Sequence, residues 1–193
     1  MPHILARSLF ELSQERDQKT INKFDENGRT ALTIAVMEKR ADLAEILLTS
    51  GANPDVGDVR SGLSPIHYAT FTDSTSTVEL LLANRAHPDL PDCYGMTPMM
   101  LACGLGHVLI MDVLLNAGAA IESRDSIGWT PLHYCITGDS IECLKTLLDE
   151  GADRSITDKK GLSPYDWAVS KHVESGDKGK CMDYLEKNRS NLV

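Results

Sequence analysis

The hexapeptide GWTPLH, Gly128–His133, decides the fold of this 193-residue chain. Thr130 belongs to the residue types that cap helix N-termini, and Pro131 suits the first helical position, where its missing N–H is not needed. Gly128 suits a tight turn that requires a positive φ. Leu132 begins an apolar stripe. The hexapeptide therefore predicts a turn followed at once by a short, buried helix.

Near-copies of this hexapeptide recur along the chain at intervals of 33 or 34 residues. The cap residues of the five copies are Thr30, Ser64, Thr97, Thr130 and Ser163. A glycine precedes each cap by two residues, and a pair of leucines follows each of the first four caps after seventeen residues. A fixed period of this length predicts a repeat architecture, in which stacking of neighbours buries the apolar face of each unit.

Each repeat is expected to contain a turn, a short helix, a second turn and a longer helix that ends at a glycine. In the fourth copy these helices are predicted at Pro131–Thr137 and Ile141–Glu150, with Gly151 as a left-handed cap. Arg85 occupies the corresponding glycine position of the second copy. Because a positive φ is unfavourable for arginine, we expect that helix to stop at Asn84 instead.

The two ends of the chain depart from the repeat pattern. Leu5, Leu9 and Leu12 are spaced for one face of a helix, which predicts an N-terminal capping helix. In the fifth copy, the polar segment Glu174–Gly179 predicts an expanded loop before a last helix, Lys180–Lys187. A polar outer face is typical of a terminal capping repeat.

The sequence resembles the ankyrin-repeat family. The residues that carry the resemblance are Asp125-x-x-Gly128-x-Thr130-Pro131-Leu132-His133, Leu147-Leu148 and Gly151-Ala152. The resemblance implies an all-α ankyrin-repeat solenoid of stacked helix-turn-helix units with hairpin-like turns, and it implies that His67 and His133 bridge neighbouring loops. We expect a single domain over 1–193. Its parts are an N-terminal capping helix and lead-in at 1–24, repeats at 25–58, 59–91, 92–124 and 125–157, and a C-terminal capping repeat at 158–193.

Composition narrows the classes of function. The formal net charge is −9, whereas nucleic-acid-binding proteins are usually basic, so no direct nucleic-acid partner is expected. No apolar run approaches the roughly 18 residues of a membrane span, and Met1–Ser13 lacks the pattern of a signal peptide. The five cysteines are odd in number and show no C-x-x-C spacing, which favours free thiols in a reducing compartment. We therefore expect a monomer without membrane contact in the cytoplasm or nucleus.

No pattern in the sequence indicates catalysis or a cofactor. A Gly-x-Ser-x-Gly elbow is absent, and so is a glycine-rich phosphate loop that follows a strand. The spacing of His133, Cys135 and Cys143 does not select for tetrahedral metal binding. The expectation is a protein with no catalytic residues, no cofactor and no metal.

The resemblance also implies a partner site, because related proteins usually bind partners on a concave face formed by turn tips and first helices. The positions carried over are Leu63, Phe71, Tyr94, Met96, Leu105, Ile127, Trp129, Lys159, Lys160, Leu162 and Lys171. Apolar side chains precede lysines along this strip, so the hypothesis is a protein or peptide ligand that is apolar with an acidic end. In the alternative interpretation, the large residue after each turn glycine packs on the neighbouring turn, and the lysines are ordinary solvated side chains.

The function predicted from these observations is a non-enzymatic protein–protein interaction module that acts as an adaptor, scaffold or inhibitor. The alternative is a targeting or regulatory ankyrin segment of a larger multidomain enzyme, ubiquitin-ligase substrate receptor or channel. Trp129 stands directly after the turn glycine, where the other copies have Arg29, Leu63, Met96 and Leu162, so it is the first candidate for partner contact.

Overall fold

The computed structural model describes residues 18–175 and 179–188, with side chains at 20–171 and 179–188. The chain divides into two compact units, Met1–His87 and Pro88–Val193. The described residues form helices joined by turns and contain no strand. The predicted helix of Leu5, Leu9 and Leu12 lies outside them.

The first unit consists of two helix pairs after a single helical turn. Its helices are α1 (Gln18–Ile21), α2 (Ala31–Met37), α3 (Ala41–Thr49), α4 (Pro65–Phe71) and α5 (Thr75–Ala83). The second unit continues the pattern with α6 (Pro98–Leu105), α7 (Val108–Asn116), α8 (Pro131–Thr137), α9 (Ile141–Asp149), α10 (Pro164–Ser175) and α11 (Lys180–Lys187). This architecture confirms the all-α repeat fold expected from the sequence.

The first helix of each repeat begins where its cap residue predicts. Thr30, Ser64, Thr97 and Thr130 are N-caps with extended backbone conformations. At α10, the Ser163 backbone N–H donates to the Asp166 carboxylate at 2.8 Å, and the Asp166 N–H donates to the Ser163 hydroxyl at 3.2 Å. Reciprocal bonds of this kind satisfy donors that a helix start leaves without partners.

The core of each unit lies between successive helix pairs. The first leucine of every leucine pair is buried, at Leu47, Leu81, Leu114 and Leu147. Among the described helices, α6 and α8 pack against each other most extensively. The hydrophobic core is thus built from the repeated positions, as stacking requires.

The predicted bounds hold closely in the fourth copy and less well in the fifth. Helix α8 spans Pro131–Thr137 as expected, α9 ends one residue early at Asp149, and α11 spans Lys180–Lys187 as expected. The loop predicted from Glu174 is wrong at its start, since α10 continues through Ser175. Residues 176–178 of that loop lie outside the described chain.

The end of α5 corrects another expectation. Asn84 caps the helix with φ −95°, and Arg85 itself adopts the left-handed conformation with φ 68°, like Gly51 with φ 94°. Two backbone bonds hold this geometry, from Arg85 N–H to Leu82 O and from Ala86 N–H to Leu81 O, both at 3.0 Å. These bonds and the burial of Ala86 outweigh the unfavourable φ of arginine.

Replacement of Arg85 by asparagine is expected to stabilise the first unit by about 0.5–1 kcal/mol, because asparagine adopts positive φ more readily. Hydrogen exchange of the α5 amides measures this effect as slower exchange. Arg60→Asn is the control, since Arg60 is also exposed but is not among the residues with positive φ. Faster exchange in Arg85→Asn than in the control would contradict the interpretation of strain.

Candidate functional site

Four of the five repeat turns are organised in the same way by an aspartate that receives two backbone hydrogen bonds on its Oδ1. The donors lie two and four residues later, and all these distances are between 2.8 and 3.0 Å. The aspartates are Asp25, Asp92, Asp125 and Asp158. In the second unit these bonds fix the backbone at the candidate residues Tyr94, Met96, Ile127, Trp129, Lys160 and Leu162.

The turns of the second unit are joined in a row by backbone hydrogen bonds. The Ser126 N–H donates to Tyr94 O at 2.8 Å, and the Lys159 N–H donates to Ile127 O at 3.0 Å. The spacing between neighbouring tips is therefore set by the main chain rather than by flexible side chains. In the first unit, the Val59 N–H donates to Gly28 O at 2.9 Å in the same manner.

Large apolar side chains are exposed at the tips of this row. Tyr94 is 67% exposed and Ile127 is 50% exposed, and we call these two residues the tip pair. Leu105, at the end of the helix that follows the Tyr94 turn, is 44% exposed. Met96 and Leu162 are only partly exposed. An exposed pair of large apolar groups on a fixed backbone is typical of a protein-interaction surface.

Trp129 packs against residues of the repeat scaffold. Its indole Nε1–H donates to Asp158 Oδ2 at 3.3 Å, which links its turn to the next one. The ring stacks on His133 with 6.0 Å between centroids and meets Tyr134 and Trp167 edge-on at 5.4 and 5.0 Å. The side chain is partly buried by these contacts. The interpretation that this large residue packs on the neighbouring turn therefore has direct geometric support.

His133 bridges two repeats. Its Nδ1 accepts from the Thr130 N–H at 3.1 Å, so Nε2 carries the proton and donates to Leu162 O at 3.3 Å. Burial lowers the pKa of His133, in keeping with a neutral ring. For His67, the Nδ1 accepts from the Ser64 N–H at 3.3 Å within its own cap.

Asp158 accepts hydrogen bonds from four donors. Besides its two backbone bonds, its Oδ2 accepts from Trp167 Nε1 at 2.9 Å and from Trp129 Nε1 at 3.3 Å. Burial acts to raise the pKa of Asp158, but the bonds from the Trp167 indole, the backbone of Leu162 and Lys160, and the Trp129 indole outweigh it and lower the pKa to about 2. Asp158 is thus an ionised anchor for the last two turns.

The three candidate lysines are exposed, and each also has an intramolecular contact. Lys159 Nζ donates to Ser126 O at 2.6 Å, and Lys171 Nζ donates to Thr137 O at 2.6 Å. Lys160 Nζ lies 5.5 Å from the centroid of the Trp167 ring. The charges therefore sit at fixed places, with those of Lys159 and Lys160 at the fourth and fifth turns and that of Lys171 at the end of α8. This limits the entropy that a ligand must remove to contact them.

The two candidate partner-binding residues of the first unit, Phe71 and Leu63, differ in exposure. Phe71, the last residue of α4, is 63% exposed, whereas Leu63 is partly buried and its carbonyl accepts from the Asp58 N–H at 3.0 Å. Sequence reasoning missed Val59, a turn residue that is 66% exposed. The sequence could have identified Val59, because it stands directly after its turn aspartate just as Lys159 does. The extra residue in this turn made the alignment of Val59 with the other copies less evident.

Within residues 18–175 and 179–188, no group of histidine, cysteine, aspartate or glutamate side chains is arranged to hold a metal ion. Every helix in that part of the chain is too short or too polar to span a bilayer.

Turns ordered by an aspartate, helix pairs with N-terminal caps and a leucine-filled core define a helical repeat protein. The chain belongs to the ankyrin-repeat family. Residues 50–125 match the family description "Ankyrin repeats (3 copies)", and residues 27–59 and 127–159 each match a single ankyrin repeat.

Similar proteins include neurogenic locus notch homolog proteins. The chain is 33% identical over 144 residues to the neurogenic locus notch homolog protein 1 of Xenopus tropicalis, and 29% identical over 144 residues to that of Homo sapiens. The human neurogenic locus notch homolog protein 2 is 32% identical over 137 residues. These matches cover 70–74% of this chain but only 6% of each relative.

Proposed function

We propose that this chain is a non-enzymatic protein-interaction module that binds a partner protein or peptide through the turn tips and first helices of its repeats. Membership of the ankyrin-repeat family supports the general class. The tip pair supports the location, and this observation carries the proposal. Tyr94 and Ile127 are large, apolar and exposed, and a backbone bond of 2.8 Å fixes one turn against the other.

The proposed partner is an extended peptide or a helix with an apolar segment that covers the tip pair and Leu105. Its acidic end lies toward Lys159, Lys160 and Lys171. The exposure of the three lysines supports this direction, as does the placement of Lys159 and Lys160 in the fifth turn and of the Lys171 ammonium at the end of α8. Interfaces of this kind derive most of their affinity from a few large anchors, while rim charges mainly steer and orient the ligand.

In this proposal, Trp129 positions the turns on either side of it. Its indole holds the Asp158 turn and packs on His133, so it keeps the Ile127 turn in register with the next one. Trp129 itself is partly exposed and adds apolar surface to the fourth turn. In the first unit, Phe71 is the exposed anchor and Leu63 a partly buried neighbour.

The adaptor, scaffold or inhibitor role, the monomeric state and the location in the cytoplasm or nucleus are further parts of the proposal. All five cysteines are free, which supports a reducing compartment. A targeting or regulatory segment of a larger protein is the second candidate, since the chain spans about 6% of the length of its relatives. The sequence of the gene on either side of this segment separates the two candidates.

The experiment selects ligands from a peptide library displayed on phage and measures their affinity for variants of the full chain. The double variant Tyr94→Ala, Ile127→Ala is expected to bind the selected peptides at least about tenfold more weakly, because it removes two exposed anchors. Leu109→Ala is the matched control, since Leu109 is 70% exposed but lies on α7, the second helix of its repeat.

Far-UV circular dichroism verifies that both proteins retain their helix content. Peptides that bind the double variant as tightly as the unmodified chain, or that lose affinity only with Leu109→Ala, would place the binding surface elsewhere.

A further inference from the structure

A cavity of about 130 Å³ lies in the second unit, between α8, α9, α10 and α11. Its walls are mainly aliphatic, with Leu132, Leu144, Leu148 and Leu185 among the lining residues, and Tyr165 also lines it. Leu148 and Tyr165 are partly exposed, so the cavity reaches the surface. A space of this size is close to the roughly 150 Å³ of an apolar cavity that accommodates benzene.

One cationic side chain also lines this apolar cavity. Arg154 stands in the turn between α9 and α10, and its Nη1 is buried without a hydrogen-bond partner among the described residues. The neighbouring carboxylate of Asp153 is engaged elsewhere, since its Oδ1 accepts from the backbone N–H and the hydroxyl of Ser155, both at 2.7 Å. A buried donor without an acceptor is destabilising, so the arrangement favours any ligand that supplies one.

We propose that this cavity binds a small organic carboxylate whose apolar body is about the size of a benzene ring. The carboxylate pairs with the guanidinium of Arg154, since the two planar groups match in a bidentate arrangement. The apolar body fills the space between the leucines and Tyr165. The site is independent of the tip pair and does not rest on the proposed partner surface.

The apolar walls and the Arg154 guanidinium together exclude simpler ligands. A neutral hydrocarbon leaves the Arg154 Nη1 donor without an acceptor, whereas inorganic phosphate leaves the leucine walls empty. Recognition therefore requires both an acceptor and an apolar body in one molecule. Few precisely placed polar groups within an apolar lining are typical of small-molecule sites.

Benzoate is the probe for the test, with benzyl alcohol and inorganic phosphate as matched comparisons. Titration into the full chain is followed through the methyl resonances of Leu132, Leu144, Leu148 and Leu185. Benzoate is expected to shift these resonances saturably with a Kd on the order of 1 mM. Benzyl alcohol is expected to bind at least about tenfold more weakly, and phosphate is expected to leave the methyl resonances unchanged.

Two variants separate the roles of charge and space. Arg154→Gln is expected to weaken benzoate binding at least about tenfold, whereas Arg85→Gln in the first unit serves as the control for loss of one positive charge. Leu148→Phe fills the cavity from its partly exposed wall without altering the guanidinium, and it is expected to abolish the shifts.

Three results would overturn the proposal. They are no saturable shift with benzoate, equal binding of benzyl alcohol, and unchanged benzoate affinity in Arg154→Gln. If Arg154→Gln does not fold, Leu148→Phe decides the question, because persistent binding in that variant places the ligand outside the cavity. Binding of the selected peptides to the tip pair is measured separately, so either proposal can fail alone.

Discussion

The Gly138→Ala variant is expected to lose about 2–3 kcal/mol of free energy of unfolding, because its new methyl group has no space. A Cβ at this position would lie 2.8 Å from the carbonyl carbon of Gly104 and closer still to its oxygen. The obstacle is backbone and cannot rotate away. Gly138 has φ −82°, so the loss would come from the close approach of α8 to α6 and not from a backbone conformation reserved for glycine.

Gly104→Ala is the matched control on the other side of the same contact. A Cβ there would meet the Tyr134 ring at 3.5 Å, which is ordinary van der Waals contact, and Gly104 lies within helix α6. Alanine favours helix more than glycine does, so this variant is expected to be unchanged or up to about 1 kcal/mol more stable. Urea unfolding followed by tryptophan fluorescence reports on the second unit, since both tryptophans, Trp129 and Trp167, lie there. Equal stabilities of the two variants would contradict the packing described for α6 and α8.

The Asp158→Asn variant is expected to lose about 2–4 kcal/mol of free energy of unfolding. The amide NH2 group that replaces Oδ2 cannot accept the two indole N–H bonds that Oδ2 accepts. The backbone bonds to Oδ1 remain possible in the variant. Asp92→Asn is the control, since Asp92 accepts the same two backbone bonds in the Tyr94 turn, whereas both indoles donate to Asp158. Its expected loss is below about 1 kcal/mol. Similar losses in both variants would show that the indole bonds do not stabilise the second unit.

The same variant tests the pH dependence of stability. The pKa of Asp158 is about 2 in the folded chain, below its ordinary value of 3.8, so the unfolded chain binds the proton first as the pH falls. The stabilisation is therefore fully present above about pH 4 and is lost as the pH falls toward 2. Asp158→Asn has no group to titrate there. The difference in unfolding free energy between the unmodified chain and the variant is expected to shrink from pH 4 to pH 2, and a difference that grows would contradict the lowered pKa.

Most of the repeat scaffold was predictable because its signals are local. A cap residue, the proline or small residue after it and the leucine pair specify helix starts and buried faces through contacts within one repeat. Helix α8 began and ended as expected for that reason. The positive φ of Arg85 was not predictable from the local sequence, because two backbone bonds and the burial of Ala86 maintain it. The continuation of α10 through Ser175 was likewise not evident from its polar sequence.

The candidate site was less predictable, because exposure depends on the neighbouring repeat. Position after the turn glycine selected Trp129 by its size, yet its contacts with Asp158 and Trp167 are made with the next repeat. Tyr94 and Ile127 were selected as turn-tip positions, directly before the turn glycine, and are the more exposed residues. The cavity beside Arg154 had no sequence signal at all, since its lining residues come from four helices and a turn.

The sequence by itself determined that this chain is an ankyrin-repeat protein, because each copy of GWTPLH carries its own turn, cap and buried apolar stripe. It also determined which positions vary between copies and so which are free to serve a partner. Only the tertiary structure decided which of those variable side chains are exposed and which serve the scaffold. Accessibility depends on what the adjacent repeat places against each residue, and that is not encoded within a single repeat.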